Sequence, residues 1–440
     1  MPAESITQQI ARAAMGLSVE RLPGGLLNSA KDLIGDLLLA AAAGQAEPSS
    51  RAFSAAITGA PGTSRLWFSQ TGALAPADAT FANTLSAAAL DYDSLNGAVH
   101  ADLVTLPAAW AAAEHCQRSP QDMLVAYIAA SELVSRLSRC AQGPGKGWSA
   151  TALYGGIGAA LASGLLLRLI PEQLVHALGL AALQAAGSQQ ANVEQTLAKR
   201  LQPALAARHG VQAALLAQAG ATAPIQALEG RFGLRALYQP GDDTRLLDGW
   251  GERWQLLDTA TKRYPVCACS HAAVQALLDL RQREPFESDE VLEVTALISP
   301  FMARLVGGAF NPAGDLQVVA QFNLQYQLAS VLLRGPLTLQ HLTRDAVLDA
   351  AAWVTRIKVE IDAGNQQELA PASVRVRLRD GQVLSCTCRY LPGSAQAPLS
   401  VAERLAKARE CGQRAQPAFD GIALFERLAD LDQHERLPLL

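Results

Sequence analysis

At 440 residues the chain is too long for one ordinary core, and domains of roughly 100–200 residues lead to an expectation of two, one large and one small. Half of its residues are apolar and 17% are charged, which excludes a disordered or fibrous chain. A net charge of −4 without a basic cluster excludes nucleic acid and membrane as main partners, because neither phosphate nor acidic lipid would be attracted.

Residues 1–17, with Glu4 and Arg12, lack the charged head, apolar run and small-residue cleavage site of a signal peptide, so the cytoplasm is the expected compartment. Seven cysteines, odd in number and sparse, read as reduced thiols. From Ser5 to about Gly220 the pattern predicts helices joined by short breakers. Residues 28–43 present a wide apolar face, with Asn28 or Ser29 as cap and Gly44 as stop. Ser119-Pro120 opens a helix over 121–141, and Pro171 starts another that ends near Gly187. Residues 151–170 are almost wholly apolar and about as long as a membrane span. Ser163, Arg168 and the glycines Gly155, Gly156, Gly158 and Gly164 favour instead a buried helix in a compact bundle, where small residues let backbones approach.

Turn residues cluster at Pro240-Gly241-Asp242-Asp243, and alanine thins out beyond them. The expected organisation is a large helical domain over 1–255, joined by 400–440, and a smaller α+β lid domain over 256–399. Alternation predicts strands at 291–298, 356–362, 373–379 and 382–390. The last two are joined by Asp380-Gly381, which supplies the positive φ of a tight turn. Helices at 271–283 and 323–333 fall between the strands, while 399–411 and 419–429 return to helical period. The fold class is therefore mainly α with a smaller α+β domain.

Of 36 basic residues only Lys31, Lys146, Lys199, Lys262, Lys358 and Lys407 are lysine. Where arginine is the default cation, Lys199-Arg200 and Lys262-Arg263 suggest a division of labour. An amine of depressed pKa moves a proton, and an arginine binds a carboxylate in a fork. Taken alone, both pairs read equally as solvated surface dipeptides. Asp91-Tyr92-Asp93-Ser94 followed by His100 puts two carboxylates and an imidazole within ten residues, enough for a base oriented by an acid; turn and cap roles account for the aspartates as well.

Cys267, Cys269 and His271, with Cys386 and Cys388, raise the idea of zinc. Structural zinc uses pairs spaced by two to four residues, so no metal is expected, and Cys386 and Cys388 read as small core residues on a hairpin face with Leu384 and Tyr390. Cys267 differs because the nearby cations favour its thiolate. Residues 143–147 depart from phosphate-loop spacing, with Cys140 and Gly147 where glycine and a hydroxyl residue are required. No Gly-x-Ser-x-Gly or His-Glu-x-x-His occurs, which leaves hydrolase and zinc-protease readings without support.

Taken in order, these segments resemble the MmgE/PrpD family. Residues 83–114, through Leu90-Asp91-Tyr92-Asp93, His100 and Leu106-Pro107, are similar to its Asn…Leu-Asp-Phe-Asp-Asp…His-Pro stretch. Gly147-Trp148-Ser149-Ala150-Thr151 resembles its Gly-aromatic-His-Pro-Thr, and Lys199-Arg200-Leu201-Gln202 its Lys-x-x-His. The run from Lys262 to His271 is similar to its Lys-x-Tyr-Pro-Cys-Cys-x-x-Thr-His. Gln321-Phe322-Asn323 with Tyr326, and Pro398-Leu399 with Lys407, fit later segments, so the likeness spans about residues 5–415.

The resemblance implies a homodimer without metal or organic cofactor, acting on a small di- or tricarboxylate in a site between the two domains. Asp91, His100, Lys199, Lys262 and Cys267 are then the catalytic residues, and Ser94, Trp148, Ser149, Arg200, Gln202 and Arg263 bind substrate. The expected chemistry is removal of a proton α to a carboxylate by Lys199 or Lys262, with His100 oriented by Asp91 and cations stabilising the enediolate-like charge. That makes the protein a lyase or isomerase, dehydratase-type or epimerase-type. Ser149, Gln202 and Ala88 stand where the family has histidine, and Ala101 where it has proline. Cis-aconitate decarboxylases carry histidine at the place of Cys267. These departures favour a simpler proton transfer over the alternative of a cis-aconitate-type decarboxylase. The alternative of another class is a catalytically inactive carboxylate-binding or scaffold homodimer.

Overall fold

The computed structural model describes residues 4–440 except 58, 60, 71 and 143–145. Most of the phosphate-loop-like segment 143–147 therefore lies outside the described residues.

The helical part is built around α1 (Gly24–Gln45), α2 (Pro76–Ala88), α3 (Ala101–His115), α4 (Pro120–Arg139), α5 (Ala150–Leu166), α6 (Pro171–Leu183) and α7 (Ala198–Gln218). Ser119 caps α4 as predicted, its hydroxyl accepting from the backbone N–H of Asp122 at 3.1 Å. α1 starts at Gly24, ahead of the expected Asn28, because burial of Leu26 outweighs the low helix propensity of two glycines. α6 stops at Leu183, short of Gly187, which takes a non-helical φ of 109° and whose carbonyl accepts from Ser149 N at 3.2 Å. α5 is the apolar segment that matched a membrane span in length. It is surrounded by α3, α4, α6 and α7, and no helix among the described residues is long and apolar enough to cross a membrane. Small residues allow this packing: a Cβ at Gly210 of α7 would lie 2.3 Å from the Gly156 carbonyl of α5. That close approach fixes where the first turn of α7 stands.

The α+β part contains α8 (Ala268–Arg283), β1 (Val291–Ile298), α9 (Pro300–Val306), α10 (Leu324–Arg334), β2 (Ile357–Ile361), β3 (Ala372–Leu378) and β4 (Val383–Cys388). The sheet order is β2-β1-β3-β4. β1 and β2 run parallel with Val294 opposite Ile357, and β1 and β3 antiparallel with Val294 opposite Val376. β3 and β4 form the predicted hairpin, where Gly381 takes φ 92° and Leu378 N donates to Gln382 O at 2.9 Å. β4 ends at Cys388, and Tyr390 is 55% exposed rather than sharing the buried face. α8 covers this sheet.

α11 (Val401–Arg414) and α12 (Gly421–Leu428) return to pack on α1. The largest apolar cluster runs from Ile10 and Leu37 to Val376 and Leu431, and Tyr264, Val266, Cys267 and Cys269 belong to it.

His271 of α8 is buried, with Nε2 3.3 Å from the Val266 carbonyl. Burial, helped by the Lys262 ammonium, holds its pKa down to about 3. The unfolded chain, with an ordinary histidine pKa of about 6.5, takes up a proton first as pH falls, so the stability His271 contributes is full above that value and lost towards pH 3. His271→Gln is expected to flatten unfolding free energy against pH in this window by up to about 1.4 kcal/mol per pH unit, read from urea titrations at stepped pH.

Candidate active site

A cavity of about 860 Å³ opens where the starts of α3, α5, α7 and α8 meet α9, β2 and the loop after β2. Asp91, His100, Lys199, Lys262 and Cys267 all line it.

Asp91 is the centre. It follows the end of α2 with φ 50°, a left-handed conformation that costs a non-glycine residue energy and marks a position held by its surroundings. Lys199 Nζ pairs with Oδ1. Lys262 Nζ donates to Oδ2 at 2.8 Å and to the Asp91 carbonyl at 2.7 Å. Two local features bring these segments together. Leu95 and Ala260 exchange backbone hydrogen bonds of 3.0 and 2.8 Å, which lays the Lys262 segment beside that of Asp91. Gly393 lets the next loop press against it: a Cβ there would sit 1.8 Å from the Thr261 carbonyl. Lys199 stands in the first turn of α7, a position where the helix dipole disfavours a cation. Asp91 and the Phe322 ring, 5.4 Å away, offset that cost.

Burial alone would raise the Asp91 carboxyl, but Lys199 and Lys262 outweigh it and hold the group well below the usual carboxylate range. Burial likewise works against the Lys199 ammonium, and Asp91 followed by Asp93 reverses this, raising its pKa. The expected amine of depressed pKa is therefore corrected at Lys199, which is held as a cation. The reason is the carboxylate opposite it, which the sequence did not pair with it.

His100 is oriented by Asp93, not by Asp91. Its Nδ1 makes an ion-pair contact of 2.6 Å with Asp93 Oδ2, while its hydrogen bond is with the Ser94 carbonyl at 3.0 Å. Among the described residues Nε2 has no internal partner. Burial of Asp93 is outweighed by the imidazole, and its carboxyl is held low. Asp102 sits behind, accepting from Ser94 Oγ at 2.6 Å and Tyr127 Oη at 2.7 Å. Burial raises its pKa despite those bonds.

Four of the expected substrate-binding residues lie elsewhere. Ser94 is fully buried on Asp102. Arg200 points behind the site, donating to Ser49, Gln317 and Gln321. Arg263 pairs with Glu403 and Gln275. Gln202 accepts from Ser188 N at 2.7 Å and braces the 187–189 loop. Each neighbours a cleft residue in sequence, but consecutive residues on a helix or turn face different directions. Trp148 and Ser149 do line the cavity, Trp148 edge-on to Tyr238 with centroids 4.7 Å apart.

Cys267 caps α8, and its thiol is lowered by a hydrogen bond from Cys269 against the effect of burial, with Lys262 assisting. Among the described residues no group of three or more His, Cys, Asp or Glu side chains is arranged to hold a metal ion. Arg304 on α9 lines the opposite wall and was missed. It stacks over Phe301 at 5.3 Å and its charge acts on Glu368, which lines the same cavity, without a hydrogen bond or ion pair among the described residues. In a chain rich in arginine it carries no local signal.

The chain is 27% identical over 437 residues to a cis-aconitate decarboxylase of Aspergillus terreus, covering 92% of this chain and 87% of that protein. It is 26% identical over 426 residues to the cis-aconitate decarboxylase of Homo sapiens, covering 91% and 86%. Residues 8–247 match the MmgE/PrpD N-terminal domain and residues 264–427 the MmgE/PrpD C-terminal domain. On these matches the chain belongs to the MmgE/PrpD family, whose homologues named here are enzymes.

Proposed function

We propose that this protein is a lyase or isomerase of a small di- or tricarboxylic acid in which His100 moves a proton at the carbon next to a carboxylate. The observation that carries the reading is the convergence of Lys199, Lys262 and His100 on Asp91 and Asp93 within one cleft. The substrate carboxylate lies against the two lysines. His100 Nε2 takes the α-proton, and the C–H electron pair moves onto the carboxylate oxygens, where fixed cations stabilise it without reorganising. Asp93 stabilises the imidazolium so formed, as a buried acid does behind a histidine base. Departure of a β-hydroxyl as water, protonated by the imidazolium, then gives a dehydratase, and protonation of the other face by a lysine ammonium, with the imidazolium losing its proton to solvent, gives an epimerase.

A second reading is favoured by the relatives, which carry the name cis-aconitate decarboxylase over more than nine-tenths of this chain. There the C–C bond breaks, carbon dioxide leaves, the double bond shifts, and a protonated His100 delivers the proton to the α-carbon.

Both readings are tested by offering citrate, methylcitrate, cis-aconitate and iminodisuccinate in heavy water and following the products by NMR. Loss of water, loss of carbon dioxide or C–H exchange alone assigns the branch. Absence of all three with every acid overturns the reading and leaves a carboxylate-binding protein. Arg304 is the cation left to meet a second carboxylate, so Arg304→Gln is expected to raise KM about 10-fold, the scale of one hydrogen bond to a charged group, with kcat retained.

A further inference from the structure

We propose that Lys407, on α11 near the end of the chain, is a positioning residue for the cleft, fixing the backbone on both sides of the Asp91–Lys262 pair. This rests on the reading of that cleft as catalytic. Lys407 does not line the cavity, and its side chain is only 3% exposed. Its Nζ donates to Asp36 Oδ1 at 2.7 Å, to the Tyr92 carbonyl at 2.9 Å and to the Lys262 carbonyl at 3.2 Å. Three acceptors account for the three protons of an ammonium. One carbonyl belongs to the residue after Asp91, and the other to Lys262 itself. The ammonium also lies 4.2 Å from the centre of the Tyr92 ring, whose hydroxyl donates to the Arg263 carbonyl at 3.2 Å. Lys407 and Tyr92 thus tie the two segments together on the side away from the cleft.

This lock explains how Asp91 keeps its left-handed backbone, which persists only where neighbours over-determine it. Asp36, brought by α1, supplies the charge that lets a lysine reside there. With Lys407 gone, two carbonyls and a buried carboxylate lose their donor, and the segments relax apart. Lys262 then no longer meets Asp91 in its present geometry.

The test uses the full chain with Lys407→Arg and with Asp36→Asn/Lys407→Met, the latter removing both charges so that no lone ion is left buried. Far-UV circular dichroism and melting establish folding. The expected result for the folded double variant is kcat lowered about 100-fold with KM little changed, the signature of misplaced rather than missing groups, and partial recovery in Lys407→Arg. The pH profile of Cys267 alkylation by iodoacetamide, mapped by peptide mass spectrometry, is expected to shift because Lys262 stands near that thiol. A folded double variant with wild-type kcat and a wild-type alkylation profile overturns the proposal. If the wild-type protein turns over none of the acids, the proposed reaction fails, and the alkylation profile alone decides on Lys407.

Discussion

His100→Gln is expected to lower kcat by about 10²–10⁴-fold, the usual contribution of a positioned acid or base, and also to lower the melting temperature, because the buried Asp93 carboxylate loses its nearest cationic partner. Glutamine can still donate to the Ser94 carbonyl that His100 Nδ1 now faces at 3.0 Å, so the local structure keeps its anchor. It has no group that accepts a proton near neutral pH. Exchange of the α-proton into heavy water should fall in step with turnover, because one group performs both. Retained kcat with a raised KM would show that His100 binds rather than transfers, and the role assigned to it would be lost.

Asp91→Asn is expected to produce the largest loss of stability. The carboxylate is buried between two lysines, and removing one side of such a cluster costs about 3–5 kcal/mol, because the charges left behind are unpaired. The pH dependence carries the signs of both partners. Asp91 has a depressed pKa, so the stability it contributes is present above the ordinary carboxylate value of about 4 and is lost as pH falls further. Lys199 has a raised pKa, so its contribution is full below the ordinary lysine value of about 10.4 and is lost as pH rises above it. The variant should show a flatter acid limb, with Asp93 supplying what remains, and a lower plateau at neutral pH in urea titrations. Citrate should stabilise it more than wild type, since a bound carboxylate replaces the missing charge. Equal stability of the two proteins at pH 7 would mean that the Asp91 cluster is not the buried ion triad seen in the structure.

Much of the fold was legible because its signals are local. Alternation gave Val291–Ile298 to the residue, and Asp380-Gly381 gave the hairpin. Ser119-Pro120 and Pro171 gave two helix starts. Where local signals failed, as at Gly24-Gly25, packing of Leu26 decided. In the site, the rarity of lysine singled out Lys199 and Lys262, and sequence proximity singled out Asp91 and His100. The same proximity wrongly drew in Arg200 and Arg263, since adjacency says nothing about the direction a side chain faces, and the family likeness drew in Gln202, which braces a loop instead.

The sequence by itself determined many of the elements, the family likeness and four charged or titratable residues of the cleft, Asp91, His100, Lys199 and Lys262. Only the tertiary structure decided the partnerships: Asp91 with lysines 108 and 171 residues away, Asp93 with His100, and Arg304 on the facing wall. The reason is physical. Which acid meets which base depends on the backbone pairing of Leu95 with Ala260 and on the close approach of α7 to α5. Whether a lysine is an acid, a base or a fixed cation depends on its burial and on the carboxylate opposite it. Neither is a property of a residue and its sequence neighbours.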